Sequence, residues 1–299
     1  MSEEVATALQ EGRGVVALES CIIAQGLPAP VNLMVAQECE DAVREGGSVP
    51  ATIAVLEGRV VVGLNAAELE RLADPSRPMV KLSSRDLGVA IAAGIDGATT
   101  VAGTVSVAKR LGIDVMATGG LGGVHRDASV TYDESADLVA LTYNSVLVVA
   151  SGVKSILNIE ATLERLDTLG VAVVGYKTRQ FPGFYLRDSG FELDWSVESV
   201  DEAADAFARH REFSITSFIL ANPVAAHHEL DRQLHDEALE SALRKTHMAG
   251  VKGKAVSPTL LAEFANHTGG VSVQVNRDLV VANAALAGAI ASSLARSLA

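Results

Sequence analysis

The chain has 299 residues, 48% of them hydrophobic and 20% charged, a globular balance with length enough for one large core or two modest ones. A formal net charge of −13 with no Lys- or Arg-rich stretch excludes nucleic acid as a partner. Two cysteines, Cys21 and Cys39, without CxxC spacing exclude a disulfide framework and a zinc knot, and fit a reducing cytoplasm.

The acidic N-terminal stretch 1–14 lacks the basic and apolar regions of a signal peptide, which supports the same compartment. Residues 14–20, GVVALES, read as a buried strand, and 31–46 as a helix closed by Gly46. Residues 48–64 are two β-rich runs about a Glu57-Gly58 turn, a hairpin. Asn65 is the N-cap candidate for a helix over 65–73. A strand over 78–83 precedes a helix over 84–94, with Ser83 and Asp86 in capping-box spacing. A β-type stretch (97–103), a helix (104–112) and a strand (113–120) lead into a long loop. The strand 146–151 feeds directly into a helix over 153–170, and a strand follows at 171–176. After the polar helix 201–213 comes a last strand over 214–223, and the final 70 residues are mostly helical. The segment 278–299 is apolar but holds Asn283 and Arg296, so it reads as an Ala-rich packed helix and not as a membrane span.

Alternating β and α elements specify a three-layer α/β/α protein, and the hairpin makes its sheet mixed. A TIM barrel accommodates neither the hairpin nor the helical C-terminal third. No repeat, low-complexity tract or linker divides the chain, so residues 1–299 are read as a single domain.

Four features carry possible chemistry. Lys154, in ASGVKSILNIE, follows a buried-type strand and enters a helix, where the macrodipole and apolar neighbours would favour the free amine of a Schiff-base nucleophile. The alternative, of equal weight from position alone, is a lysine whose stem packs while its head reaches solvent. Lys81 repeats the strand-end position, with Ser83 and Ser84 beside it, and suits a phosphate. The loop ATGGLGGVHR (117–126) has four glycines that could let amides approach an anion, though it matches no nucleotide fingerprint, and His125 lies just beyond them. In TYDESADL, Asp133 and Asp137 stand four apart, one face of a helix that begins there, and could serve a hydrated divalent ion; an acidic helix start is the plainer reading. HHELDRQLH (227–235) reads as the solvated face of a helix. Glu19 closes an apolar strand, where desolvation would raise its pKa and equip it as a proton donor, or a lysine would pair with it.

Taken in order, VALES, IIA-GLP, VPATIAVLEGRVVVGL, VKLSSRDL, GATTVAGT, ATGGLGGVHR, SADL, ASGVKSILNI, FPGFY, ANP, GKAVSPTLLA and TGGVS resemble the pseudouridine-5′-phosphate glycosidase family, which includes the indigoidine-synthase-A-like proteins. The resemblance runs over about residues 15–289 and implies the indigoidine synthase A-like fold. It implies reversible cleavage of pseudouridine 5′-phosphate to uracil and ribose 5-phosphate, with Glu19 as proton donor and Lys154 as the amine that forms an imine with C1′. Lys81, Thr100, Val101, Ser135, Ala136 and Asp137 would contact the substrate, and His125 and Asn276 would face it. Asp133 would hold a divalent cation, manganese in this family, largely through water. The resemblance further implies a cytoplasmic homotrimer acting on small molecules, with no membrane or nucleic-acid partner. Cys21 and Gln25 depart from the Thr and His usual in the first motif, and Lys177, Arg179 and Gln180 stand where an acidic pair is common. A relative that joins ribose 5-phosphate to another carbon nucleophile is the nearest alternative. A silent phosphosugar-binding protein would need neither Glu19 nor Lys154, and a class I aldolase would explain only the lysine.

Overall fold

The computed structural model describes residues 1–251 and 253–298, without the side chains of residues 254 and 298. Helix α1 (Glu3–Gln10), which the sequence reading left unassigned, is capped by Ser2 and leads into β1 (Val15–Glu19). A short π-type turn, Ile22–Gly26, then precedes α2 (Val31–Glu45). The expected hairpin is β2 (Val49–Leu56) and β3 (Arg59–Val62), with Glu57 and Gly58 both at positive φ as its tight turn requires. Asn65 caps α3 (Ala66–Ala73) in a full capping box with Glu68. Strand β4 (Val80–Leu82) meets the expected Ser83/Asp86 box, which closes a 3₁₀ turn before α4 (Leu87–Ala92).

β5 (Gly97–Thr99) and α5 (Val101–Leu111) follow. The helix starts three residues earlier than its periodicity suggested, because Thr100 caps it and Asp137 accepts the N–H of Ala102 at 2.9 Å. β6 (Val115–Ala117), the short α6 (Ala128–Thr131) and α7 (Ala136–Ala140), and β7 (Leu147–Ala150) come next. Then α8 (Ile159–Thr168), β8 (Ala172–Tyr176), the two-residue β9 (Ser196–Val197), α9 (Val200–Phe213) and β10 (Phe218–Ala221) complete the sheet. The chain closes with α10 (Arg232–Met248), α11 (Val256–His267) and α12 (Val271–Leu298).

Among the described residues the ten strands form one mixed sheet in the order β4-β5-β2-β1-β6-β7-β10-β8-β9, with β3 on β2. The centre, β2-β1-β6-β7-β10-β8, is parallel; β3 and β5 run antiparallel to the second half of β2. Every residue of β1 and β7 is buried, as both faces are covered. α2, α9 and α12 pack together over one face, and α5 with α7 over the other, the three layers expected. α12 is long and apolar enough to cross a membrane by length and hydropathy, yet 56% of that window is buried inside the fold. Its small residues let it lie against α2: a Cβ on Gly288 would come within 2.6 Å of the Val43 carbonyl.

This topology fixes where a site can form. The carboxyl ends of parallel strands leave a crevice where the chain turns away on either side. Here β1 ends in Glu19, β6 runs into Thr118, and β7 into Ser151. Because β2 extends past β1, with Ile53 level with Glu19, the antiparallel β5 returns along it and delivers Thr99 to Ser20, N–H to Oγ at 2.9 Å. The N-terminus of α5 therefore opens onto the same crevice.

Candidate active site

Glu19 is the hinge of the site. The pairing of Leu18 with Ala117 sets Thr118, one residue past β6, beside it, and Thr118 Oγ1 donates to Glu19 Oε1. The side chain is 8% exposed. Burial pushes its pKa above the ordinary glutamate value, against the charges of Lys154 and Lys81 and the Thr118 hydrogen bond, with Asp137 adding to the rise. A carboxyl that keeps its proton at higher pH is a suitable general acid. Two residues on, burial with the help of Glu19 pushes the Cys21 thiol up to about 12, so it stays a thiol and not a nucleophile.

Lys154 and Lys81 face the same space. Lys154 lies on an irregular stretch, residues 151–158, between β7 and α8, held by its own N–H to the Leu121 carbonyl at 3.1 Å. The helix beyond begins only at Ile159, with Asn158 as its cap, so the helix-dipole argument from sequence does not hold. What places Lys154 is the loop-to-loop pairing of Leu121 with Val153. Lys81 sits mid-strand in β4, opposite Ala98.

These four side chains, Glu19, Cys21, Lys81 and Lys154, line two compartments at once. The first, about 490 Å³, is mostly apolar, with Ile22, Gly120, Phe184 and Leu261 in its wall together with Gln25 and Asn276. Asn276 is 5% exposed and its Oδ1 has no partner among the described residues, so a ligand N–H is what would satisfy it. Gln25 is held by the Met79 carbonyl (Nε2 donating, 2.7 Å) and accepts from Cys21 Sγ at 3.6 Å, so the two departures from the family pattern act as one unit. Lys177, Arg179 and Gln180 do not line either compartment.

The second compartment, about 920 Å³, is the more polar of the two, and all the residues expected there line it: Thr100, Val101, His125, Asp133, Ser135, Ala136 and Asp137. The N-terminus of α5 opens into it, and Arg85 and Lys81 add positive charge. Asp133 and Asp137 do not share a helix face as their spacing suggested. Asp133 lies before α7, whose cap is Ser135, and Asp137 is buried, accepting the N–H groups of Ala102 at 2.9 Å and Gly122 at 3.0 Å. In the glycine loop the Gly122 amide is already taken by Asp137 and is not offered to an anion. Its glycines answer to crowding: a Cβ on Gly120 would stand 2.6 Å from the Phe184 ring, and one on Gly122 2.2 Å from Ser135 Oγ. The histidine run is exposed at His227, Glu229, Asp231, Arg232 and Gln233, as a solvated face should be, but it is not one helix, since α10 starts only at Arg232, and His235 is buried, its Nδ1 2.8 Å from Asp236 Oδ1.

No three His, Cys, Asp or Glu side chains converge on a point among the described residues. Asp133, a lone carboxylate on the polar compartment, suits only a hard divalent ion that keeps most of its own waters. Sequence reasoning missed Thr118, Arg85, Phe184, Ser257 and Leu261. Thr118 could have been found by aligning the ATGG strand end with ALES; the others depend on long-range packing.

Residues 4–293 match the family described as "Indigoidine synthase A like protein". A pseudouridine-5′-phosphate glycosidase from Salinispora tropica is 54% identical over 290 residues, 96% of this chain and 89% of that protein. One from Streptomyces griseus is 51% identical over 294 residues, 97% of this chain and 90% of that protein. Among solved structures, the prealnumycin C-glycosynthase AlnA, in complex with ribulose 5-phosphate, superposes with a TM-score of 0.91 at 38% identity, covering 99% of this chain and 97% of its own. An indigoidine synthase A-like protein from Thermotoga maritima gives 0.88 at 33%, covering 96% and 94%.

Proposed function

The chain belongs to the indigoidine synthase A-like family, and from that premise we infer that it is an enzyme cleaving the C–C glycosidic bond of pseudouridine 5′-phosphate to uracil and ribose 5-phosphate. One observation carries the reading: an acid and an amine, Glu19 and Lys154, stand where an apolar and a polar compartment meet. A planar base fits the apolar side, with Asn276 Oδ1 to accept from a ring N–H, and a ribose phosphate fits the polar side. The bond to be broken then lies at the junction.

A C–C glycoside has no heteroatom leaving group, so protonating the aglycone oxygen, as two-carboxylate glycosidases do, is not available. Glu19 gives its proton to the ribose ring oxygen as the Lys154 amine bonds to C1′ and the C1′–O4′ bond breaks. The proton that the new C1′–N ammonium sheds returns to the Glu19 carboxylate. Glu19 delivers it to C5 of the base; the C1′–C5 pair flows back into the ring as C5=C6, and the nitrogen lone pair forms C1′=N. Water hydrolyses the imine, freeing ribose 5-phosphate and Lys154. Every step reverses, so the same groups can join the two halves.

The family resemblance adds a manganese or other divalent ion, which Asp133 would hold through water to supply charge beside the phosphate. It also adds a cytoplasmic homotrimer, for which light scattering is the direct check. The 38% identity to a C-glycosynthase keeps a second reading, C-ribosylation of another nucleophile, with Gln25 and Cys21 in the aglycone wall as its motive. The test is incubation with pseudouridine 5′-phosphate and manganese. Uracil release is expected; a protein that traps ribose 5-phosphate on Lys154 yet releases no uracil would move the assignment to the second reading.

A further inference from the structure

The C-terminal helix α12 carries two buried asparagines, Asn276 and Asn283. Seven residues apart, they share a helix face and are separated by about 10 Å along the axis. Asn276 lines the apolar compartment, whereas Asn283 is fully buried beneath the floor of the site. An amide in such a place is expensive unless its hydrogen bonds are met. Asn283 Nδ2 donates to the Thr118 carbonyl at 2.9 Å and to Ser151 Oγ at 3.1 Å, and its Oδ1 accepts from Asn222 Nδ2 at 2.9 Å. Thr118, Ser151 and Asn222 are the first residues past β6, β7 and β10, so one side chain joins three strand ends.

Two of those ends lead directly to the reacting groups. Thr118 carries the hydroxyl that holds Glu19. Ser151 opens the irregular stretch that bears Lys154, and this stretch is tied back to the other end: Ser151 N–H to the Gly119 carbonyl at 2.9 Å, Lys154 N–H to the Leu121 carbonyl at 3.1 Å. We propose that Asn283 is a positioning residue for both catalytic groups, fixing Thr118 against Glu19 and Ser151 beneath Lys154, so that acid and amine keep their spacing through the reaction. A leucine at that point would satisfy the apolar helix but neither strand end. This inference rests on the Glu19–Lys154 reading given above.

The test separates positioning from mere stability. Thr118→Val deletes a donor that favours the Glu19 carboxylate, so the high-pH limb of kcat, set by loss of the Glu19 proton, moves upward. The other groups around Glu19, namely Lys154, Lys81, Asp137 and Cys21, are unchanged in that variant. Asn283→Leu, near-isosteric and uncharged, is expected to lower kcat on the order of 10²-fold, the effect of a 1 Å misplacement, with KM changed less than threefold. Its limb moves in the same direction as that of Thr118→Val, and the double variant moves no further. Ser151→Ala, a one-atom deletion that the fold tolerates, is expected to slow borohydride trapping of ribose 5-phosphate on Lys154 and leave the limb in place. A high-pH limb at the wild-type position in folded Asn283→Leu overturns the proposal, as does an unchanged trapping rate in Ser151→Ala, which decides the matter if Asn283→Leu does not fold. Wild-type protein that releases no uracil would instead refute the functional reading, a result these variants do not produce.

Discussion

Gly122→Ala is the sharpest probe of the two-compartment arrangement. The new methyl would lie 2.2 Å from Ser135 Oγ and 2.7 Å from both Ser135 Cβ and Asp137 Oδ2. Carbon contacts settle near 3.5–4.0 Å, so about 1 Å of movement is forced on the α7 cap. Ser135 cannot simply rotate away, since its Cβ is as close as Asp137. The movement breaks the 3.0 Å bond from Gly122 N–H to Asp137 and loosens the 2.9 Å bond from Ala102 N–H at the start of α5. Overpacking costs about 1–3 kcal/mol and a hydrogen bond to a charged group about 1.5–3 kcal/mol. If about 2 kcal/mol of that falls on the phosphosugar, its binding weakens roughly 10- to 100-fold, at about 1.4 kcal/mol per decade. Gly120→Ala is the counterpart, forcing its methyl on the Phe184 ring at 2.6 Å and so disturbing the apolar side. Inhibition constants for ribose 5-phosphate and uracil are the assay. Gly122→Ala should weaken the sugar phosphate alone and Gly120→Ala uracil alone. Equal weakening of both ligands in both soluble variants would refute the division of the site.

Glu19→Gln should lower kcat by roughly 10²-fold or more, the contribution of a general acid, and a variant with wild-type turnover would remove Glu19 from the chemistry. The same substitution has a stability signature. Burial raises the Glu19 pKa in the folded chain, so the unfolded chain gives up the proton first as pH rises, and folding is penalised above the unfolded glutamate range. Glu19→Gln escapes that penalty, so its Tm relative to wild type should be higher at pH 8 than at pH 4; a pH-independent difference would contradict the raised pKa. Borohydride with ribose 5-phosphate should label the Lys154 peptide, and labelling elsewhere or not at all would eliminate the imine. Asp133→Asn should abolish the change in the manganese EPR spectrum on titration with protein and ribose 5-phosphate, and an unaltered titration would exclude Asp133 as the ion's ligand.

What could be read from the sequence was what local chemistry decides. The Glu57-Gly58 turn, the Asn65 N-cap and the Ser83–Asp86 box all concern residues within four positions of each other, and the structure has them as expected. Glu19 was legible because a charge at the end of an apolar strand contradicts its neighbours, a conflict that marks functional positions. Lys154 was legible for a similar reason, but the mechanism inferred for it was wrong: its place comes from a pairing with Leu121, 33 residues away, and not from a helix terminus.

The failures follow the same line. Spacing alone put Asp133 and Asp137 on one helix face, whereas Asp137 turns inward to hold two amides from α5 and the glycine loop. The four glycines of that loop were read for the freedom of their amides, while the crowding that forbids a side chain at Gly120, Gly122 and Gly123 comes from Phe184, Ser135 and Thr162, none adjacent in sequence. Asn283 is the clearest case. In the sequence it only interrupts an apolar helix; in the fold its side chain hydrogen-bonds the residues that follow β6, β7 and β10, which no periodicity could convey. Polar residues that look misplaced within apolar segments, Glu19 in β1 and Asn283 in α12, are joined through Thr118, whose hydroxyl donates to Glu19 and whose carbonyl accepts from Asn283. The physical reason is common to both: a polar group remains in a core only where other groups require it, and in this fold those groups are gathered at the carboxyl ends of the central strands.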